Sequence, residues 1–152
     1  MPRRLTAVTL QTLDWLIARI GRAEDRPEHQ KTGRRGEEAA YFHLRQLGYV
    51  MVVRNFRSPR RRGEIDLIGW EGDVLCFIEV KTRTTRDVKP AHAAVDREKR
   101  RELIAMAHEY LHHLRTKPAW RLDVISVYIE EPKHPPDRAI TIELFKNAFP
   151  VS

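Results

Sequence analysis

Residues 63–83, GEIDLIGWEGDVLCFIEVKTR, predict a β-hairpin. Both halves are rich in apolar residues that favour strands, and a short polar break separates them. A two-residue turn at Gly72 and Asp73 fits the break, because both residue types favour tight hairpin turns. This turn places Glu71 opposite Val74 and so sets the pairing of the two strands. The hairpin holds most of the residues of this chain that are capable of chemistry.

Four charged side chains converge if the hairpin keeps this register. Asp66 lies opposite Glu79, and Glu64 lies opposite Lys81; paired residues share a face of the sheet. A cross-strand salt bridge between Glu64 and Lys81 would be a purely structural explanation. It leaves Asp66 and Glu79 uncompensated, and a divalent cation such as magnesium would supply the missing charge. Lys81 could then act on the attacking water and on transition-state charge.

The composition describes a basic, globular chain. It has 152 residues, enough for one domain with a core, and a net charge of +7. Excess positive charge favours a polyanionic partner such as nucleic acid, although a merely basic surface is the alternative. No apolar run is long enough to cross a bilayer, so no membrane partner is expected. The single cysteine, Cys76, indicates a reducing cytoplasm and is expected to fill the core.

Hydrophobic periodicity predicts an α/β fold with a mixed β-sheet flanked by helices. Residues 1–32 are expected to form an N-terminal extension, with a short helix and then a polar linker over 21–35. Residues 33–150 are expected to form a single domain. Its predicted elements are a helix at 36–48, a strand at 49–56, the hairpin, a helix at 93–114, and strands at 121–129 and 138–144.

A run of arginines around Pro59 lies just before the hairpin. A solvated loop would explain it, but its place beside the carboxylates favours a grip on phosphate. The basic residues predicted to bind nucleic acid are Arg54, Arg57, Arg60, Arg61, Arg62, Arg83 and Lys99.

The segment HEYLH at 108–112 fits the zinc-hydrolase pattern HExxH. His108 and His112 are one helical turn apart, and Glu130 or Glu131 could be proposed as a third ligand. On a helical projection, however, both histidines lie on the polar side, away from the apolar stripe through Leu103. A solvated helix face is therefore the preferred interpretation.

The hairpin residues also resemble a known signature. Asp66 followed by Glu79-Val80-Lys81 looks like the D…(D/E)xK signature of the restriction-endonuclease-like PD-(D/E)xK superfamily, with Ile65 in place of the proline. Longer segments resemble the YraN-like family of predicted endonucleases. They are GEEAA at 36–40, GY at 48–49, RN at 54–55, GEIDLI at 63–68, FIEVKTR at 77–83 and LDV at 122–124.

This resemblance implies a restriction-endonuclease-like core and a set of site residues. Asp66 and Glu79 would bind magnesium or manganese, the Val80 carbonyl would complete the metal site, and Lys81 would act on the water. Glu37 matches a glutamate that joins the cluster from the first helix in resolvase-like nucleases. Glu64 belongs to the family pattern and is a further candidate metal ligand. By analogy with resolvases, a homodimer is also expected.

The leading hypothesis is therefore a magnesium-dependent endonuclease that hydrolyses phosphodiester bonds in DNA, including branched or structured DNA. The alternative is a nucleic-acid-binding module of the same fold with little or no turnover. A zinc hydrolase that uses the HExxH segment is a distant third.

Overall fold

The structure is a computed structural model, and it describes residues 27–84, 95–130 and 139–150. The chain divides into two compact units, Met1–Arg34 and Arg35–Ser152. The helix predicted near the N-terminus lies outside the described residues, as does most of the extension at 1–32. Within the described ranges, no helix is both long enough and apolar enough to span a membrane.

The second unit is built on a five-stranded sheet with strands in the order β1-β2-β3-β4-β5. β3 and β4 run parallel and the other neighbours run antiparallel, so the sheet is mixed, and two helices flank it. This confirms the predicted α/β fold; the restriction-endonuclease-like core stays a prediction. The elements are α1 (Glu28–Gln46), β1 (Val50–Phe56), β2 (Ile65–Glu71), β3 (Val74–Arg83), α2 (Arg97–His112), β4 (Ala119–Ile129) and β5 (Ile140–Phe145).

β2 and β3 form the predicted hairpin. Glu71 pairs with Val74, and the pairing continues without a shift to Leu67 and Ile78. Gly72 in the turn has φ of +57°, a left-handed conformation that glycine adopts without steric cost. Because the register is the predicted one, Asp66 and Glu79 are the next positions on the two strands.

The sheet has a hydrophobic core on each face. One core joins β3 to α2, through Phe77, Leu103 and Met106 among others. The other joins β3 to α1, through Cys76 and Leu44, and Cys76 is fully buried as predicted. Successive side chains of a strand point to opposite faces, so Glu79 belongs to the α2 face with Phe77.

Both helices differ in extent from the prediction. α1 begins at Glu28 rather than at residue 36, so the part of the predicted linker from 28 to 35 is helical. This segment has no apolar stripe, but most of its residues favour helices, and Thr32 Oγ1 donates to the Glu28 carbonyl. α2 begins at Arg97, because the Asp96 side chain caps it by accepting from the backbone N–H of Lys99.

Candidate functional site

Asp66 is a buried carboxyl group tied to the neighbouring strand. It is 8% exposed, and its Oδ2 accepts a 2.6 Å hydrogen bond from the backbone N–H of Val80. Burial, and then the charge of Glu79, raise the pKa of Asp66 to about 7. The two acids therefore lie close enough to repel each other, as the hairpin register predicted.

Glu79 is buried more deeply, and its two oxygens have different surroundings. Oε1 accepts a 2.8 Å hydrogen bond from Lys81 Nζ, and Lys99 Nζ of α2 lies 3.7 Å from the same oxygen. Oε2 is buried and has no hydrogen-bond partner among the described residues. A buried carboxylate oxygen without a partner is costly, so this atom has unused capacity for a cation or a donor.

The other two predicted acids, Glu64 and Glu37, lie near the pair formed by Asp66 and Glu79. Glu64 lies just before β2 and pairs with Arg57 at 2.6 Å, not with Lys81 as the hairpin register had suggested. The charges of Glu37 and Glu64 contribute to the raised pKa of Asp66. Glu37 reaches this neighbourhood because the preceding residue, Gly36, packs directly against the side chain of Thr82 on β3.

A magnesium ion is compatible with two of these acids. In the part of the chain that the structure describes, no three His, Cys, Asp or Glu side chains form a group that could hold a metal ion. Magnesium in proteins commonly takes one or two carboxylates and fills its other positions with water or phosphate. Asp66, and Glu79 through its unpartnered oxygen, meet that requirement, so the donor set fits magnesium or manganese.

The arginine run forms a loop held against α2, which we call the arginine loop (residues 57–62). Ser58 is buried and donates a 2.6 Å hydrogen bond to Glu109 of α2, while Arg61 lies 3.5 Å from the same carboxylate. Beside the loop is an open groove of about 490 Å³. Its lining is Arg57, Ser58, Arg61, Arg62, Gly63, Glu64 and Lys99.

The other predicted nucleic-acid contacts have separate environments. The Arg54 guanidinium lies over the ring of Tyr41, 4.7 Å from its centroid, on the α1 side of the sheet. Arg83 is half-buried, and its Nε has no hydrogen-bond partner among the described residues. Lys99 lies between the groove beside the arginine loop and the carboxylate pair, because it lines the groove and its Nζ is 3.7 Å from Glu79 Oε1.

The HExxH segment gains no metal ligand from the fold. Glu109 is only 13% exposed and is engaged by Ser58 and Arg61. His108 and His112 are exposed, as their helical positions predicted. Glu130 belongs to no metal-holding group among the described residues, and Glu131 lies outside them.

Sequence reasoning missed Ser126 on β4. Lys81 and Ser126 are partners in the parallel β3–β4 pairing, so they share the face that carries Glu79. Ser126 is fully buried, and its Oγ has no hydrogen-bond partner among the described residues. A serine inside the apolar strand at 121–129 was the available signal, but its pairing with Lys81 depends on the β3–β4 register, which no local pattern predicts.

Asp123, from the LDV segment, lies away from this site. It is paired with Ile78 and so belongs to the opposite face of the sheet from Glu79. Its side chain is fully buried and accepts from Arg121 Nε and from the backbone N–H of Asn147. The same Arg121 donates to Tyr49, so we interpret Asp123 as part of a structural network.

The fold and the site together define an α/β protein with two buried, adjoining carboxylates on a mixed sheet and a basic loop beside them. Residues 36–127 match the family described as "Uncharacterised protein family UPF0102". A UPF0102 protein of Koribacter versatilis is 47% identical over 150 residues, which covers 99% of this chain and 98% of that protein. A UPF0102 protein of Solibacter usitatus is 40% identical, and the match covers 76% of this chain and 91% of that protein. A UPF0102 protein of Chlorobium limicola is 41% identical, and the match covers 77% of this chain and 90% of that protein. The chain belongs to the UPF0102 family, which confirms the YraN-like resemblance.

Proposed function

We propose that this protein is a magnesium- or manganese-dependent nuclease that hydrolyses phosphodiester bonds in DNA. The observation that carries the proposal is the adjoining pair of buried carboxyl groups, Asp66 and Glu79, one of which has an oxygen without a partner. Burying two acids side by side is unfavourable unless a cation or a proton compensates them. Burial, and then the charge of Glu79, accordingly raise the pKa of Asp66.

The proposed roles follow from what each side chain contacts. Asp66 and Glu79 would hold the ion, with the Val80 carbonyl beside them. When bound, the ion would polarise the phosphodiester and make a water more acidic. Lys81, which donates a 2.8 Å hydrogen bond to Glu79, would as an ammonium stabilise charge developing on the phosphate, and only its neutral amine could accept the water's proton.

Substrate positioning is assigned to the groove between the arginine loop and α2. Arg57, Arg61 and Arg62 line it, and Lys99 lies at its junction with Glu79. Guanidinium groups bind phosphate through paired N–H donors, so such a groove suits a nucleic-acid backbone. The net charge of +7 favours the same partner through counterion release. The proposal also includes branched or structured DNA as a substrate, a homodimer as the working form, and a cytoplasmic location.

One observation favours a second candidate, a nucleic-acid-binding module without turnover. Glu79 Oε1 is already neutralised by Lys81 and approached by Lys99, so the protein compensates this charge without a metal. A module of this kind would retain the basic groove and would not require an ion.

Cleavage of branched, single-stranded and duplex DNA, with magnesium or manganese, tests the proposal. The wild type should cleave at least one of these substrates, and Asp66→Ala and Glu79→Ala should lose the activity while still binding DNA. Asp73→Ala, in the exposed hairpin turn, is the matched control and should cleave as the wild type does. A Glu79→Ala protein with the wild-type rate would reject the proposal. DNA binding with neither cleavage nor magnesium binding by calorimetry would select the module.

A further inference from the structure

A second basic pocket lies between the arginine loop and the C-terminal half of α2. It is an open cavity of about 440 Å³. The HExxH segment supplies most of the α2 wall, and the loop supplies the rest. The lining residues are Arg60, Arg61, Ala105, His108, Glu109, His112 and His113. We call this the histidine pocket.

The charge of the histidine pocket suits an anion. Its lining has two guanidinium groups, from Arg60 and Arg61, and one carboxylate, from Glu109. Arg61 and Ser58 already engage that carboxylate. The lining therefore has positive charge in excess even with neutral histidines, and each protonated imidazole would add to it.

Part of the pocket wall is held in place before any ligand binds. Ser58 Oγ donates to Glu109 and also accepts a 3.0 Å hydrogen bond from the backbone N–H of Arg60. His108 packs edge-on against Trp120 of β4, with ring centroids 5.2 Å apart. These groups need no ordering when a ligand binds, which limits the entropic cost of binding.

A zinc ion suits this pocket less well than an anion does. Two histidines spaced one turn apart are typical zinc ligands, but here Arg60 and Arg61 would repel a cation. Glu109 already contacts Ser58 and Arg61. Among the described residues, no third ligand completes a group that could hold a metal ion. Imidazole and guanidinium N–H groups are, in contrast, the usual donors to phosphate oxygens.

We propose that the histidine pocket binds a backbone phosphate of the nucleic acid, at a point distant from the carboxylate site. The proposal rests on the proposed function only in taking nucleic acid as the ligand. α2 links the two sites, since Lys99 contacts Glu79 and His112 ends the helix thirteen residues later. At about 1.5 Å per residue this separation is about 20 Å, or roughly six base pairs of duplex.

The charged groups that face the three imidazoles come from two elements. The loop contributes Arg60 and Arg61, α2 contributes Glu109, and the packed residue of β4 is the uncharged Trp120. A neighbouring groove of about 370 Å³ shares Arg60, Arg61 and Ala105 with the histidine pocket, and Glu98 and Glu102 line that groove as well. A phosphate in the pocket should therefore bind more tightly when these imidazoles are protonated, because each proton adds positive charge to the lining.

Fluorescence anisotropy with a labelled duplex of about 20 base pairs, in EDTA so that no cleavage occurs, tests the proposal. The variant His112→Gln/His113→Gln removes two imidazoles from the pocket. We expect it to bind about three- to tenfold more weakly than the wild type near pH 6, with a smaller difference near pH 8. The slope of log K against log salt should also fall by about one near pH 6, as expected when one phosphate contact is lost.

The control is His29→Gln/His43→Gln, which removes two imidazoles from α1 and should retain the wild-type affinity and slope. Equal affinity and equal slopes for the pocket variant at both pH values would overturn the proposal, even if the wild type cleaves DNA. Binding as proposed without any cleavage would reject the nuclease and leave the pocket standing.

Three further measurements identify the ligand. Histidine NMR signals of the pocket should shift with the duplex, and inorganic phosphate should compete only weakly. Saturation by inorganic phosphate with no response to the duplex would make this a free-phosphate site and overturn the assignment. Stoichiometric zinc binding that the pocket variant abolishes would overturn it as well.

Discussion

Asp66 Oδ2 accepts a 2.6 Å hydrogen bond from the backbone N–H of Val80, so the acid of β2 is fastened to the strand that carries Glu79. Asparagine at position 66 could accept the same bond through its carbonyl oxygen. The substitution Asp66→Asn therefore removes the charge and keeps the geometry. This separates the electrostatic cost of the site from its structural role.

We predict that Asp66→Asn stabilises the metal-free protein at pH 8. The pKa of Asp66 is about 7 in the folded protein and near 4 in the unfolded chain, so the folded state holds an extra proton between these values. Rising pH then lowers the free energy of unfolding of the wild type, and above pH 7 the ionised Asp66 destabilises the folded state to its full extent. The variant should be more stable by roughly 2–4 kcal/mol at pH 8, with the difference vanishing near pH 4.

Urea unfolding in EDTA across this pH range measures the effect. Asp73→Asn, in the exposed turn of the same hairpin, is the control and should show no comparable pH-dependent gain. A less stable Asp66→Asn protein at pH 8 would mean that the ionised acid is favourable where it lies.

We predict that Lys99→Met tightens manganese binding. Lys99 Nζ lies 3.7 Å from Glu79 Oε1 and is 26% exposed, so its charge opposes a cation at that carboxylate, although solvent screens part of the effect. The dissociation constant measured by calorimetry should fall by about three- to tenfold. Lys117→Met, at an exposed position outside the helix, should leave it unchanged. Weaker binding by Lys99→Met would instead show that Lys99 orients Glu79 for the metal.

The sequence predicted the hairpin correctly because its determinants are local. A tight turn at Gly72 and the alternation of apolar residues fix the register over a few residues, and the register alone brings Asp66 beside Glu79. Glu64 lies one residue beyond the strand. There the chain turns at Gly63, whose φ is +99°, and Glu64 instead meets Arg57.

Contacts between distant segments could not be predicted in the same way. Ser58 and Glu109 are 51 residues apart, and their hydrogen bond depends on how the loop folds over α2. The contact of Lys99 with Glu79 depends on the rotation of α2 about its axis, which hydrophobic periodicity gives only coarsely. The start of α1 was missed because its first turns lack an apolar face.

We predict that Gly36→Ala destabilises the protein despite improving helix propensity. A Cβ at position 36 would collide with the side chain of Thr82, and overpacking of this kind costs about 1–3 kcal/mol. The gain in helix propensity is at most about 1 kcal/mol, so the clash should dominate. In a Thr82→Ala background the same substitution should cost less, because part of the colliding side chain is gone.

Gly33→Ala is the matched control for that substitution. It lies on the same helix, and no described atom comes within 4 Å of its added Cβ. It should therefore stabilise the protein by about 0.5–1 kcal/mol in thermal unfolding. If both glycine variants were stabilised equally, the close approach of α1 to Thr82 would be wrong.

We predict that Asp123→Ala is destabilising and leaves metal affinity intact in the folded fraction. Asp123 is fully buried and accepts from Arg121 and from the backbone N–H of Asn147. Its removal leaves that N–H without its acceptor, whereas Arg121 keeps an ion pair with Glu71 at 2.6 Å. Losing the acceptor of buried donors costs about 1–3 kcal/mol. Asp123→Asn should cost less, since an amide oxygen can still accept from Asn147. Urea unfolding with a parallel manganese titration measures both quantities. Loss of metal binding without loss of stability would assign Asp123 to the carboxylate site rather than to the network on the opposite face.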